Sequence, residues 1–200
     1  MDTVRLRRLN RWQAETLRED LADLYVESST TRPGEEFHGR QEFLLRLADN
    51  VQLPGFDMLI AEAESLVGCA YGFPVARDGS WWQGFDGRLP KNIEQLTASG
   101  HVFAITEVLL HPHGQHEGLA RRLQERLVAD HQASLGATSV DRSDLRAATA
   151  WKSCGWQDIG EIHRKQPVPT VLRVLVLPLG ERTTEHPDGL THNDRTQRPE

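Results

Sequence analysis

Apolar and polar positions change period several times along the chain, and each change predicts an element. From Val4 to Leu9 apolar and basic residues alternate, which predicts a half-buried strand. Ala14 to Val26 then carries Leu17, Leu21, Leu24 and Tyr25 at helical spacing. Pro33 and Gly34 punctuate Thr31 to Gly39, and Gln41 to Asn50 predicts a second helix with Phe43, Leu44 and Leu47 on one side. Asp57 to Ala63 and Leu66 to Val75 read as two strands joined at Glu64-Ser65, a hairpin. Ala76 to Gly100 breaks the periodicity. It holds Trp81, Trp82, Phe85 and Pro90 among Asp and Gly residues and exceeds most connections in a compact domain. Two readings of it stay open: a substrate lid lined by aromatics, or an ordered excursion whose aromatics pack on the core or on a second copy in a homodimer. His101 to Leu110 predicts a central strand and Gly118 to His131 its helix. Ala137 to Asp141 reads as a short strand, Leu145 to Ser153 as a short helix, and Trp156 to His163 and Thr170 to Leu177 as closing strands. From Glu181 to Glu200 only Leu190 is aliphatic, so a disordered polar tail is expected after a single domain over residues 1–180.

Composition narrows the class. At 200 residues and 38% hydrophobic content the chain can bury one real core. A formal net charge of −6 argues against general binding to nucleic acid or to anionic membrane, both of which favour a basic surface. The charged N-terminus has no following apolar run, so neither a signal peptide nor a membrane span is expected, and the cytoplasm is the expected compartment. Cys69 and Cys154 are too few for a disulfide framework or a zinc cage.

The most informative stretch runs from Glu107 to Val128. An apolar strand ends at Leu110-His111-Pro112, a short polar loop follows, and Gln-x-x-Gly-x-Ala at 115 to 120 opens a helix with Leu119, Leu123, Leu127 and Val128 at helical spacing. The first N–H groups of such a helix lack intrahelical acceptors and sit at the positive end of its dipole, so a phosphate can bind there without a charged side chain. Gly118 and Ala120 are small where a diphosphate must approach the backbone. The plain alternative is that Gly118 only ends a surface loop. No Gly-x-x-x-x-Gly-Lys-Ser/Thr occurs, and no Gly-x-Gly-x-x-Gly follows a strand, which argues against nucleoside-triphosphate and dinucleotide enzymes.

The spacing of Leu110, Pro112, Gln115, Gly118 and Ala120 resembles motif A of the GNAT acetyltransferase superfamily. Asp144 to Trp156, with Ala147, Gly155 and Trp156 in place, resembles that superfamily's motif B. The resemblance implies an α/β (α+β) single domain, a mixed twisted sheet of about six or seven strands splayed in a V at the central strand and flanked by about four helices. It also implies acetyl-CoA as co-substrate, its pantetheine along the backbone of Val108, Leu109 and Leu110. The diphosphate is expected on the loop and helix start formed by Gln115, His116, Glu117, Gly118, Leu119, Ala120 and Arg121. Relatives place an Asn against the pantetheine and a Tyr as proton donor to the leaving thiolate, at positions that hold Asp144 and Trp151 here. An acidic Glu117 beside a diphosphate is unfavourable, with Arg121 and Arg122 as candidate compensation.

Amide formation needs an amine stripped of its proton, a polarised thioester and an acid for the sulfur. Glu107, on the central strand, is the candidate base; a structural glutamate bonded to nearby backbone is the alternative. Polarisation of the thioester oxygen is expected from a central-strand N–H. His111, His113 and His116 cluster, but a strand end and turn do not fix three imidazoles on one cation, so no metal is expected. Cys154 lacks any signal of activation and reads as a packing thiol. Trp151 fills the tyrosine's place and its indole cannot act as a general acid. The expected activity is therefore acetyl transfer by direct attack of an amine, the acceptor being a small molecule. The rival is an acyl-CoA-binding sensor or interaction protein with little or no turnover, suggested by Asp144 and Trp151. A transcription regulator would need a helix-turn-helix or basic face, and the chain has neither.

Overall fold

The computed structural model describes residues 3–28, 36–112 and 118–179. Its helices are α1 (Arg11–Thr16), α2 (Arg18–Ser28), α3 (Glu36–Asn50), α4 (Lys91–Ala98), α5 (Leu119–Asp130) and α6 (Leu145–Ser153). The strands are β1 (Arg5–Leu9), β2 (Asp57–Glu62), β3 (Leu66–Pro74), β4 (Val102–Leu110), β5 (Leu135–Asp141), β6 (Gln157–Arg164) and β7 (Thr170–Pro178). They form one sheet in the order β1-β2-β3-β4-β5-β7-β6, and every neighbouring pair is antiparallel except β4 with β5. A parallel step needs a crossover, which α5 supplies.

That parallel pair is short. β4 and β5 meet only at Val102 with Leu135, Phe103 with Gly136 and Ala104 with Ala137. Beyond Ala104, β4 stays on β3 as far as Leu110 while β5 stays on β7 as far as Asp141, so a wedge opens between them. At its apex the buried Thr138 hydroxyl donates to the Ile105 carbonyl at 2.8 Å, satisfying an acceptor that the divergence takes away from strand pairing.

A second irregularity sets the chemistry. Tyr71 opposes Glu107 and Gly72 opposes Ile105, so Thr106 is an extra residue on β4, a bulge. A Cβ on Gly72 would lie 1.9 Å from the Ala104 carbonyl oxygen, so the close approach of the two strands here requires glycine. One added residue reverses which side chains face which side. Before the bulge Phe103 and Ile105 pack with α5; after it Val108 and Leu110 do, while Leu109 turns to the opposite face beside Tyr71. Glu107, directly opposite Tyr71, shares that opposite face.

On the α5 face, Leu119, Leu123, Leu127 and Val128 cover the sheet together with Trp151 and Trp156. The other face is divided. Leu21 and Leu24 of α2 and Phe43 and Leu47 of α3 cover β1 to β4, whereas Trp82 and Ile93 from residues 76–100 cover β5, β6, β7 and the start of β4.

Several sequence expectations change in detail. The helix expected from Ala14 to Val26 is two helices, because Asn10 and Gln13 form a capping box that starts α1 early and Leu17 leaves helical geometry at its end. Helix α3 starts at Glu36, ahead of Gln41, and β5 starts at Leu135 because Leu135 and Gly136 are needed to pair with β4. The aperiodic stretch contains α4, which has only eight residues and buries the polar Thr97 beside Ile93. Thr97 is tolerated there because it accepts from the Trp82 indole at 2.9 Å and donates to the Ile93 carbonyl at 2.8 Å. Among the described residues there are six helices, where about four were expected. The expected tail over residues 181–200 lies outside the described residues.

Candidate active site

Glu107 stands on the bulged half of β4 with its side chain 21% exposed. Arg46 of α3 approaches it to 3.8 Å, and the buried Tyr71 hydroxyl is near the carboxylate but outside hydrogen-bonding geometry. Burial pushes the Glu107 carboxyl above its usual range, and the Arg46 charge and the Tyr71 hydroxyl offset this only in part. The same burial, reinforced by the Glu107 charge, raises Tyr71 well above an ordinary phenol and Cys69 above an ordinary thiol, so both stay neutral. Arg46 is held over the Tyr25 ring, 5.4 Å from its centroid, and Tyr25 stacks on Phe43 at 4.8 Å. Glu107 thus has the environment of a group whose proton affinity is raised above that of an ordinary carboxylate.

The wedge leads to the start of α5. Gly118 caps that helix at φ 75° and ψ 0°, a left-handed conformation that favours glycine, and no side chain caps the helix. Among the described residues, nothing lies within 4 Å of where a Cβ on Gly118 would stand. The Arg122 N–H bonds the Gly118 carbonyl at 3.0 Å, and the N–H groups of Leu119, Ala120 and Arg121 precede the intrahelical ladder. The Leu119 side chain is buried in the core, which leaves its backbone N–H as its contribution to the site. Arg121 is engaged by Glu125 at 2.7 Å along the helix. Of the expected phosphate-loop residues, Gln115, His116 and Glu117 lie outside the described residues, as does His113.

Val108, Leu109 and Leu110 follow Glu107 on the part of β4 that has no β5 partner, so strand pairing leaves the wedge-facing edge of this backbone free. Their side chains are turned into the two cores, which leaves the main chain as what they can offer a ligand. His111 continues the strand and approaches Glu27 of α2 at 3.3 Å.

The second group of expected contacts has structural work of its own. Asp144 caps α6, accepting from the Ala147 N–H at 2.9 Å. Trp151 is 9% exposed and stands edge-on to Trp156 at 4.8 Å, and the Trp156 indole donates to Gln124 of α5 at 2.8 Å. The described packing makes Trp151 a core residue tying α6 to α5. Cys154 packs at the margin of the same core, as a packing thiol does.

Cys69, Tyr71 and Phe73 alternate onto one face of β3, so Phe73 is the next same-face neighbour of Tyr71, roughly 7 Å along the strand. Phe73 lines a cleft of about 730 Å³ together with Leu53, Pro54, Trp81, Arg77 and Arg164. Trp82 is buried in the core, as the reading of an ordered excursion expects, while Trp81 packs against it and lines this cleft. Arg46, Tyr71 and the cleft arginines were not among the sequence candidates. Strand alternation around Cys69 and Phe73 carried a signal for Tyr71; Arg46 carried none.

No protein-family model matches the sequence, and no curated protein is significantly similar to it. Solved structures do match. A protein assigned to the GNAT acetyltransferase family from Desulfovibrio desulfuricans superposes with a TM-score of 0.57 at 14% identity, over 88% of this chain and 99% of that one. A variant of spermidine N-acetyltransferase from Vibrio cholerae gives 0.52 at 12%, over 89% and 95%. The ribosomal-protein-S18-alanine N-acetyltransferase from Escherichia coli gives 0.51 at 14%, over 88% and 94%. The chain has the GNAT fold. Among the described residues, no helix is long and apolar enough to cross a membrane.

Proposed function

We infer that the chain is an acetyltransferase that moves an acetyl group from acetyl-CoA to the amine of a small molecule, in the cytoplasm. The observation that carries this reading is the wedge: the strand edge released by β5 follows Glu107, whose proton affinity is raised, and α5 starts at Gly118 with no side-chain cap among the described residues. Pantetheine is a chain of amides, and the free edge at Val108, Leu109 and Leu110 suits it as an added strand. Its diphosphate suits the first amides of α5, where the helix dipole is positive and Gly118 carries no side chain. Acetyl-CoA supplies the activated thioester.

Glu107 then takes a proton from the acceptor ammonium, freeing the nitrogen lone pair. As the C–N bond forms, the C–S bond breaks, the sulfur leaves with the electron pair as a thiolate, and the nitrogen's second proton passes to that thiolate. Trp151 offers no acidic hydroxyl, but a thiol with a pKa near ~8.5 leaves tolerably as its anion. The rival reading, acyl-CoA binding without turnover, is not favoured by the similar solved structures, which are described as acetyltransferases.

Calorimetric titration of acetyl-CoA, paired with thiol release over a panel of amines, separates these readings. Binding with amine-dependent thiol release is expected. Binding without release on any amine favours the sensor, and no binding overturns both.

A further inference from the structure

We propose that the cleft on the Glu107 side of the sheet selects an acceptor that joins a carboxylate to an apolar or aromatic body, with Arg77 and Arg164 holding the carboxylate. The word acceptor rests on the acetyltransferase reading; the binding chemistry does not. At about 730 Å³ the cleft has the size of a small-molecule site, and Leu53, Pro54, Phe73 and Trp81 give it an apolar wall. Its charged lining is of one sign: Arg77 comes from the segment after β3, Arg164 from the end of β6, and no Asp or Glu lines it among the described residues.

The formal net charge is −6, and Arg7, Arg8, Arg40, Arg46, Arg121, Arg126, Arg142 and Arg173 each stand within ion-pair distance of a carboxylate. Arg77 and Arg164 form no such pair among the described residues. Arg77 is nevertheless positioned, because a Cβ on Gly100 would lie 2.8 Å from its Nε; the guanidinium lies against a backbone that only glycine leaves open. Two uncompensated guanidiniums on one cleft favour a planar anion that can accept from both, and they repel a simple cationic amine. Phe73 is the next same-face residue of β3 after Tyr71, which stands opposite Glu107, so the cleft lies on the Glu107 side of the sheet.

The test uses the full chain without CoA. Calorimetric titrations compare 3-phenylpropanoate, its uncharged analogue 3-phenylpropanamide, and phenethylamine, on wild type and on Arg77→Gln, Arg164→Gln and the double variant. The carboxylate should bind about tenfold or more tighter than the amide, phenethylamine should bind weakest, and the double variant should erase the preference with its melting temperature unchanged. Equal binding of acid and amide, no binding of the acid, or a preference that survives in a folded double variant overturns the proposal. Thiol release from acetyl-CoA, measured separately with phenylalanine and phenethylamine, keeps the two inferences distinguishable. Arginine-dependent carboxylate binding without thiol release on any amine removes the acetyltransferase reading alone. Thiol release that is as fast on phenethylamine as on phenylalanine, and indifferent to both arginines, removes only the specificity.

Discussion

From Val102 to Ala104, β4 is paired with β3 on one side and β5 on the other, whereas from Thr106 to Leu110 it keeps β3 alone. The first half buries every side chain, with Phe103 fully enclosed. The second half exposes Thr106, holds a carboxylate of raised proton affinity, and leaves one backbone edge unpaired by any strand. A single strand thus concentrates cohesion where it is paired twice and reactivity where it is paired once. Backbone groups left free and a carboxylate kept from full solvation both cost stability, and the doubly paired half with the α5 core offsets them.

The sharpest break in that comparison is Glu107→Gln, which keeps size and removes basicity. Turnover on a true acceptor should fall by ~10²–10⁴-fold with acetyl-CoA affinity nearly unchanged, checked by steady-state kinetics beside calorimetry. Phe103→Ala should do the reverse, lowering unfolding stability by about 3–5 kcal/mol in denaturant titration, since it empties the doubly paired half. Gly118→Val should weaken acetyl-CoA binding by more than tenfold, about 1.4 kcal/mol, because a branched residue resists φ 75° and adds a side chain at the start of α5. An unchanged affinity in a folded variant would remove the helix start from the site. The smallest effect concerns stability and pH. Glu107 has a folded-state pKa above its unfolded value, so its favourable contribution is complete below the unfolded value, ~4.3, and is lost as pH rises through the folded one. Glu107→Gln should therefore melt no lower than wild type at neutral pH, the opposite of its effect on rate.

How much of this was legible in the sequence depends on how local each feature is. The helix start at Gly118 was readable because a glycine, a preceding strand and an amphipathic run are all within about a dozen residues of one another. The wedge was expected only through the resemblance, since no periodicity reveals where two strands stop pairing. The bulge at Thr106 was invisible: Val102 to Leu110 is almost continuously apolar, and an alternation that slips by one residue leaves no mark in such a run. That slip places Glu107 opposite Tyr71 and beside Arg46, partners distant in sequence, so its raised proton affinity was beyond sequence reasoning. Trp151 was legible as a large residue but not as the edge-on partner of Trp156, because that contact depends on how α6 returns to the sheet.

On the proposed reading, the half-buried carboxylate of Glu107 on the singly paired half of β4 is the base for acetyl transfer. The most direct test of this role is the pH dependence of kcat at saturating acetyl-CoA and acceptor, for wild type and Glu107→Gln. The base must be ionised to act, and burial moves its ionisation upward, so wild-type kcat should rise with pH through an inflection above the ordinary carboxylate range. That limb should be absent in the glutamine variant, whose rate should be low and flat over the same interval. The same limb at the same position in Glu107→Gln, or a variant as fast as wild type, would contradict the account.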